Sequence, residues 1–338
     1  MIITSPYTRS MARKTLTISA LLGATALVLA GCASTPTDAA DGDAVQVVAS
    51  TSVYGDIVSA IAGDAVEVTS IVTSSSQDPH SYEASASDQL TISRADLIVE
   101  NGGGYDSFID SLIEASGSEA HVITAAEYSH DWPENEGHDH ADGDAEATEE
   151  ADHDHDHAGH DHVEGFNEHV WYDPHTIEHV AEAIAEELTE LVPDEAATFE
   201  SGLAAFVDGV AGLETSLSDI AAAHQGEKIF VTEPVPLYLT AAAGLENVTP
   251  EAFSEAVEEG QDVPPATLLE ATTLLGAGDV RVLIANSQTG GAETTQVIQT
   301  AEADGIPVIE FSEILPEGES YLTWMAKNID ELAGVLAG

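Results

Sequence analysis

From Val45 onward, short apolar runs rich in β-branched residues alternate with stretches whose apolar positions recur every three or four residues. That alternation predicts strands at 45–49, 66–72, 96–100 and 121–124, and a second set near 228–232, 280–285 and 306–310. After the first strand, Val53, Ile57 and Ile61 fall on one helical face, and Gly63 is well placed to end that helix. Between the two sets, Phe199, Leu203, Phe206, Val210, Leu213, Leu217 and Ile220 recur at alternating spacings of four and three. The spacing predicts one amphipathic helix from about Asp194, after Pro193, to Ala223, roughly 45 Å long at 1.5 Å per residue. Gly202, Gly209 and Gly212 each weaken it by about 1 kcal/mol against alanine, so packing along the stripe must hold it. A coiled-coil dimer is the other use of such a stripe, but the repeat stops after about four heptads and is flanked by α/β units.

The expected fold is therefore α/β: two lobes, each a parallel sheet flanked by helices, joined by one long rigid helix. The expected boundaries are a lobe over 45–192 carrying a polar loop at about 130–166, a linker helix over 193–224 and a second lobe over 225–338.

Residues 1–31 read as an export signal, not as fold. Arg9, Arg13 and Lys14 precede the apolar run at 18–30, and Leu29-Ala30-Gly31-Cys32 follows the pattern of a bacterial lipoprotein signal in which Cys32 is lipidated. An ordinary signal peptide or a short anchor is the alternative, although the run is short for a span of about 20 residues. Residues 32–44 form a Ser/Thr/Pro/Asp/Gly tether, which would leave the domain anchored to the cell membrane on its extracytoplasmic side. Cys32 is the single cysteine, so the folded part has neither disulfides nor thiolate ligands. With a formal charge of −55 and only Arg94, Lys228, Arg281 and Lys327 beyond the signal, nucleic acid and anionic ligands are poor partners.

Candidate chemistry is concentrated in histidine. Seven of the fourteen histidines, His138, His140, His153, His155, His157, His160 and His162, lie within 25 residues and alternate largely with aspartate. Neutral imidazole suits zinc, copper and nickel, and ordinary polar linkers use Ser, Gly and Glu instead, so the tract points to transition-metal buffering. Ligands of open α/β sheets bind beyond the carboxyl ends of the strands. Positions obeying that rule are His80 in Gln77-Asp78-Pro79-His80, His169 just past the tract, Glu233 directly after a strand, and Asn286 and Gln288 after the strand at 280–285.

Here the chain resembles the cluster A-I solute-binding lipoproteins of bacterial zinc and manganese ABC importers, from about Val45 to the C-terminus. Asp78-Pro79-His80 is similar to the family's first-ligand motif and His169-Val170-Trp171-Tyr172-Asp173-Pro174 to its second; the acidic histidine-rich insertion resembles that of the zinc members. The resemblance implies a receptor that is not an enzyme, monomeric, serving a permease and its ATPase, with an ion clamped in the interlobe cleft. At the third position zinc members carry histidine and manganese members glutamate, and here Thr232-Glu233-Pro234 is similar to the latter. The fourth family position is a carboxylate in a loop after a strand of the second lobe; this chain offers there an amide oxygen of Asn286 or Gln288, a water, or nothing. Two imidazoles and a carboxylate suit Zn2+, the expected cargo, while Mn2+ tolerates the same set at higher coordination.

Two other classes stay open at this point. His175-Thr176-Ile177-Glu178-His179 fits an H-x-x-E-H metallopeptidase pattern, with two imidazoles on one helical face and Glu178 as base. A surface adhesin or metal chaperone would use the same fold without an importer.

Overall fold

The computed structural model describes residues 44–133, 135, 163 and 165–338. Cys32, the tether and the histidine tract at 138–162 lie outside the described residues. The first half folds as β1 (Gln46–Thr51), α1 (Ser52–Ala62), β2 (Glu67–Val72), α2 (Ala86–Ile92), β3 (Leu97–Glu100), α3 (Phe108–Ser116), β4 (His121–Thr124) and α4 (Pro174–Leu191). Then come the long α5 (Ala196–His224), β5 (Lys228–Val231), α6 (Leu237–Ala242), β6 (Glu246–Asn247), α7 (Glu251–Glu258), α8 (Pro265–Leu275), β7 (Val280–Asn286), α9 (Ala292–Ala303), β8 (Val308–Phe311) and α10 (Tyr321–Leu336). Gly63 caps α1 with a φ of 55°, which a residue with a Cβ rarely adopts.

Both sheets are parallel and repeat one topology, β2-β1-β3-β4 and β6-β5-β7-β8. In each, successive crossovers run to opposite sides of the first strand. The crevice at the carboxyl ends of β1 and β3, and of β5 and β7, is therefore the place where a ligand can enter between diverging loops.

The α5 stripe is buried as the periodicity predicts, with Leu203 only half-buried. Its glycines divide in role. A Cβ on Gly202 would stand 2.2 Å from the backbone oxygen of Ile61, so the end of α1 approaches α5 there as only glycine permits. Gly212 faces open space. Gly202→Ala is expected to lower the thermal midpoint despite the better helix propensity, because relieving the clash costs about 1–3 kcal/mol. Gly212→Ala should raise it, because alanine in place of glycine stabilises an exposed helix interior by up to about 1 kcal/mol. Paired calorimetric melts of the two variants check both signs.

One buried apolar cluster runs from Val47 and Leu97 of the first sheet through Phe199, Phe206 and Val210 of α5 to Ile229, Ile284 and Ile309 of the second. Polar bonds cross the same divide: the Tyr172 hydroxyl donates to the Ser312 carbonyl at 2.7 Å, Tyr321 Oη to the Trp171 carbonyl at 2.9 Å, and Tyr238 Oη to the Asn167 carbonyl at 2.9 Å. The halves are thus braced to one another beside the crevice.

Candidate metal centre

His80 sits at the end of the loop that follows β2. Asp78 shapes this turn: its Oδ1 accepts the His80 N–H at 3.0 Å and its Oδ2 the Ser81 hydroxyl at 2.8 Å. The His80 ring packs edge-on against Tyr105, with centroids 4.8 Å apart. His169 opens the short 3-10 turn Val170–Tyr172, immediately before Asp173 caps α4 through the His175 N–H and the Thr176 hydroxyl. The preceding strand end holds this segment: Asn101 Nδ2 donates to the Glu168 carbonyl at 2.8 Å, while Asp106 accepts the N–H groups of Asn101 and Gly102.

His169 is 1% exposed, and its orientation is set by Asn167. Asn167 Nδ2 donates to the Pro234 carbonyl, so its Oδ1 faces His169 Nδ1 at 2.8 Å. An amide oxygen only accepts; Nδ1 therefore carries the proton and the lone pair resides on Nε2, the arrangement expected of a metal-binding imidazole. The His80 and His169 rings lie 6.0 Å apart.

Across the crevice the second half contributes acids. Glu233 follows β5 and is 3% exposed; it accepts Asn286 Nδ2 at 2.9 Å and the Thr289 hydroxyl. Glu313, two residues beyond β8, accepts the other proton of Asn286 Nδ2 at 2.6 Å through Oε1. Its Oε2 is buried without a hydrogen-bond partner among the described residues and lies 3.8 Å from His80 Nε2. Glu258, the last residue of α7, points its Oε1 at the same space, 3.8 Å from His169 Nδ1. Two donors held at about 2.0–2.2 Å from one ion stand about 3.4 Å apart at a tetrahedral angle and about 4.2 Å when opposite, so the His80 Nε2–Glu313 Oε2 spacing is that of a cation cradle, whereas the 3.8 Å approach of Glu258 is to the protonated nitrogen of His169. The donor atoms of His80, His169 and Glu258 all lie within 4.8 Å of one another, and so do those of Asp78, His80 and Glu313.

Carboxyl groups accumulate here, and the basic side chains paired with them among the described residues are the two imidazoles. The ion pairs of Lys228, Arg281 and Lys327 all lie with other acids. Burial and the charges of Glu168, Glu233 and Glu313 push the Glu258 carboxyl up to about 9. Burial carries Glu313 up to about 8 against the Asn286 hydrogen bond, and Glu233 is raised by burial too. A divalent cation is what would let these groups ionise together.

The expected amide donors take part in the loop hydrogen bonds. Asn286 Oδ1 accepts the Gln288 N–H at 3.0 Å, and Gln288 Oε1 accepts the N–H groups of Glu313 and Ile314 at 2.6 and 2.8 Å. Both amide oxygens are occupied in holding the loops, and Asn286 ties Glu233 to Glu313. A carboxylate after a second-half strand is present, but it follows β8 rather than β7. Glu313 obeys the same strand-end rule as the other candidates; Glu258, in a Val-Glu-Glu-Gly run at a helix end, carries no sequence signal that separates it from a solvated surface acid.

Residues 47–335 match the family described as zinc-uptake complex component A, periplasmic. The chain belongs to that family. It is similar to a manganese ABC transporter substrate-binding lipoprotein, PsaA of Streptococcus mitis, with 27% identity over 92% of this chain and 95% of that one. An iron ABC transporter substrate-binding lipoprotein, MtsA of Streptococcus pyogenes serotype M1, is 26% identical over 95% and 98%. Among solved folds, the periplasmic zinc binding protein TroA from Treponema pallidum superposes with a TM-score of 0.67 at 19% identity, covering 87% of this chain and 99% of that one. As a member of the zinc-uptake component A family, the chain is a substrate-binding component of a metal ABC importer and not an enzyme. The histidine pair of the peptidase pattern lies on the outer side of α4, with ring centroids 4.9 Å apart; His175 is near Glu214 and His179 near Glu182, all exposed to solvent.

Proposed function

We propose that this chain is the extracytoplasmic receptor of a zinc importer and holds one ion between His80 and His169 of the first half and Glu233 and Glu313 of the second. The observation that carries the reading is the meeting of His80 with the buried Glu313 carboxylate, whose Oε2 lacks a hydrogen-bond partner among the described residues, and of both imidazoles with Glu258; Glu233 joins the set through Asn286, which donates to it and to Glu313. Two nitrogen and two oxygen donors satisfy zinc in tetrahedral geometry, and zinc stands above manganese and ferrous iron in intrinsic affinity for such sets. The histidine tract, outside the described residues, would sample dilute metal. Cys32 would carry the lipid that keeps the receptor at the cell membrane, where a permease and its ATPase receive the cargo; the receptor acts as a monomer.

A second reading is manganese or ferrous iron, favoured by the glutamate at the third position and by the names of the relatives at 26–27% identity. Chelator-competition titration of the purified protein with zinc and manganese, with and without residues 138–162, separates the readings. One tight zinc ion retained after removal of the tract is expected. Manganese held more tightly than zinc would reverse the choice of cargo, and no tight site for either ion would end the receptor reading.

A further inference from the structure

Four donors are enough for zinc, yet a third glutamate lies in the same crevice. Glu258 sits at the carboxyl end of α7, where the helix dipole disfavours a negative charge. It is 13% exposed, and its Oε1 is buried without a hydrogen-bond partner among the described residues. Glu168, Glu233 and Glu313, all of the same sign, surround it, and the one basic group beside it among the described residues is the His169 ring, whose Nδ1 stands 3.8 Å from its Oε1. Packing alone does not explain a carboxylate in such a place; a glutamine or methionine would fill the volume without the repulsion. What the position does supply is a fifth donor, carried on a separate element and grouped with the donor atoms of His80 and His169.

We infer that Glu258 is a donor to the bound ion that sets the range of metals the site accepts, extending a four-coordinate zinc site to the higher oxygen-rich coordination that manganese and ferrous iron require. The inference rests on the receptor reading above and deepens it. With Glu258 engaged, two imidazoles and three carboxylates surround the ion, and a carboxylate that binds through both oxygens brings the count to six. With Glu258 turned aside, the remaining four donors keep the tetrahedral arrangement. One crevice thus takes ions of either preference, and α7 is the element whose placement distinguishes them.

The test is the pair of dissociation constants for Mn2+ and Zn2+, measured by chelator competition on the wild-type protein and on Glu258→Gln, which keeps the size of the side chain and removes its charge. Manganese is expected to weaken roughly 100-fold and zinc less than about tenfold, so that the ratio of the two shifts at least tenfold. Equal weakening of both metals would overturn the inference, because Glu258 would then act only by positioning His169; no change in either would overturn it as well. X-ray absorption on manganese bound to the wild-type protein gives a result independent of any variant. A six-coordinate shell that loses an oxygen neighbour in Glu258→Asp supports the assignment, and a four-coordinate shell in the wild type rejects it. Failure of the receptor reading is separately visible, since the wild-type protein would then hold neither ion at a single site that depends on His80.

Discussion

Replacing His80 with alanine is expected to weaken zinc binding by roughly two to three orders of magnitude, since a four-donor site worth about 10–16 kcal/mol gives each donor about 2.5–4. His80 is the better choice for this experiment than His169. Its side chain is 17% exposed and ends a loop, whereas His169 is buried among Tyr105 and Trp171, and its removal would leave a cavity. Isothermal titration of His80→Ala against His175→Ala makes the contrast sharp. The second variant removes an imidazole from the exposed face of α4 and should leave affinity within about twofold, because an exposed side chain far from the donors contributes little. Equal losses in both would show that the crevice is not where the metal sits.

A second large effect is expected from pH. In the metal-free protein Glu258, up at about 9, and Glu313, up at about 8, both hold protons at neutral pH. An entering ion must displace them, so uptake at pH 7 should release on the order of one to two protons, and apparent affinity should rise between about pH 6 and 9. Titrations in buffers of different ionisation heat count those protons directly. The stability of the metal-free protein should move the other way. A carboxyl whose folded value lies above its unfolded value of about 4.5 binds more protons folded than unfolded in between, so its contribution is complete below that value and is lost as pH rises through 8 to 9. The thermal midpoint of the metal-free protein should therefore fall over this window by an amount equivalent to a few kcal/mol, because each tenfold change in a proton equilibrium corresponds to about 1.4 kcal/mol. The loaded protein should stay nearly level, and Glu258→Gln with Glu313→Gln should flatten the metal-free curve. A metal-free midpoint that climbs from about pH 6 to 9 contradicts the assignment.

Much of the architecture was legible because its signals are periodic. The apolar runs at β1, β3, β5 and β7 are buried on both faces, and the α5 stripe repeats for most of 29 residues, so strands and connector read directly from the chain. The two-residue strand Glu246–Asn247 was not legible, since it is too short to leave a period. His80, directly after Asp78-Pro79, and His169, four residues before Asp173-Pro174, stood out in the sequence as candidates, and their rings lie 6.0 Å apart in the structure. Glu313 escaped because the end of β7 presents two amides that satisfy the same strand-end rule; those amides hold Glu313 in place. Glu258 was hidden for a different reason. Helix α7 is placed by tertiary packing, with Phe253 against Phe230 in the second-half core, and nothing local in the sequence reports that. The same limit applies to Gly202, which reads as a weak point in a helix and is in fact a point of contact.

Because the apolar seam is continuous beneath both sheets, the mouth above it works like the rim of a stiff clasp rather than a pair of swinging doors. Prising it open would strip packed side chains from each other. Thermal fluctuation should therefore spill the cargo only slowly, and the pull needed to unload it falls to the docking machinery. That machinery, for its part, should tell a full clasp from an empty one by the texture of the rim, since the angle between the jaws offers it almost nothing to measure.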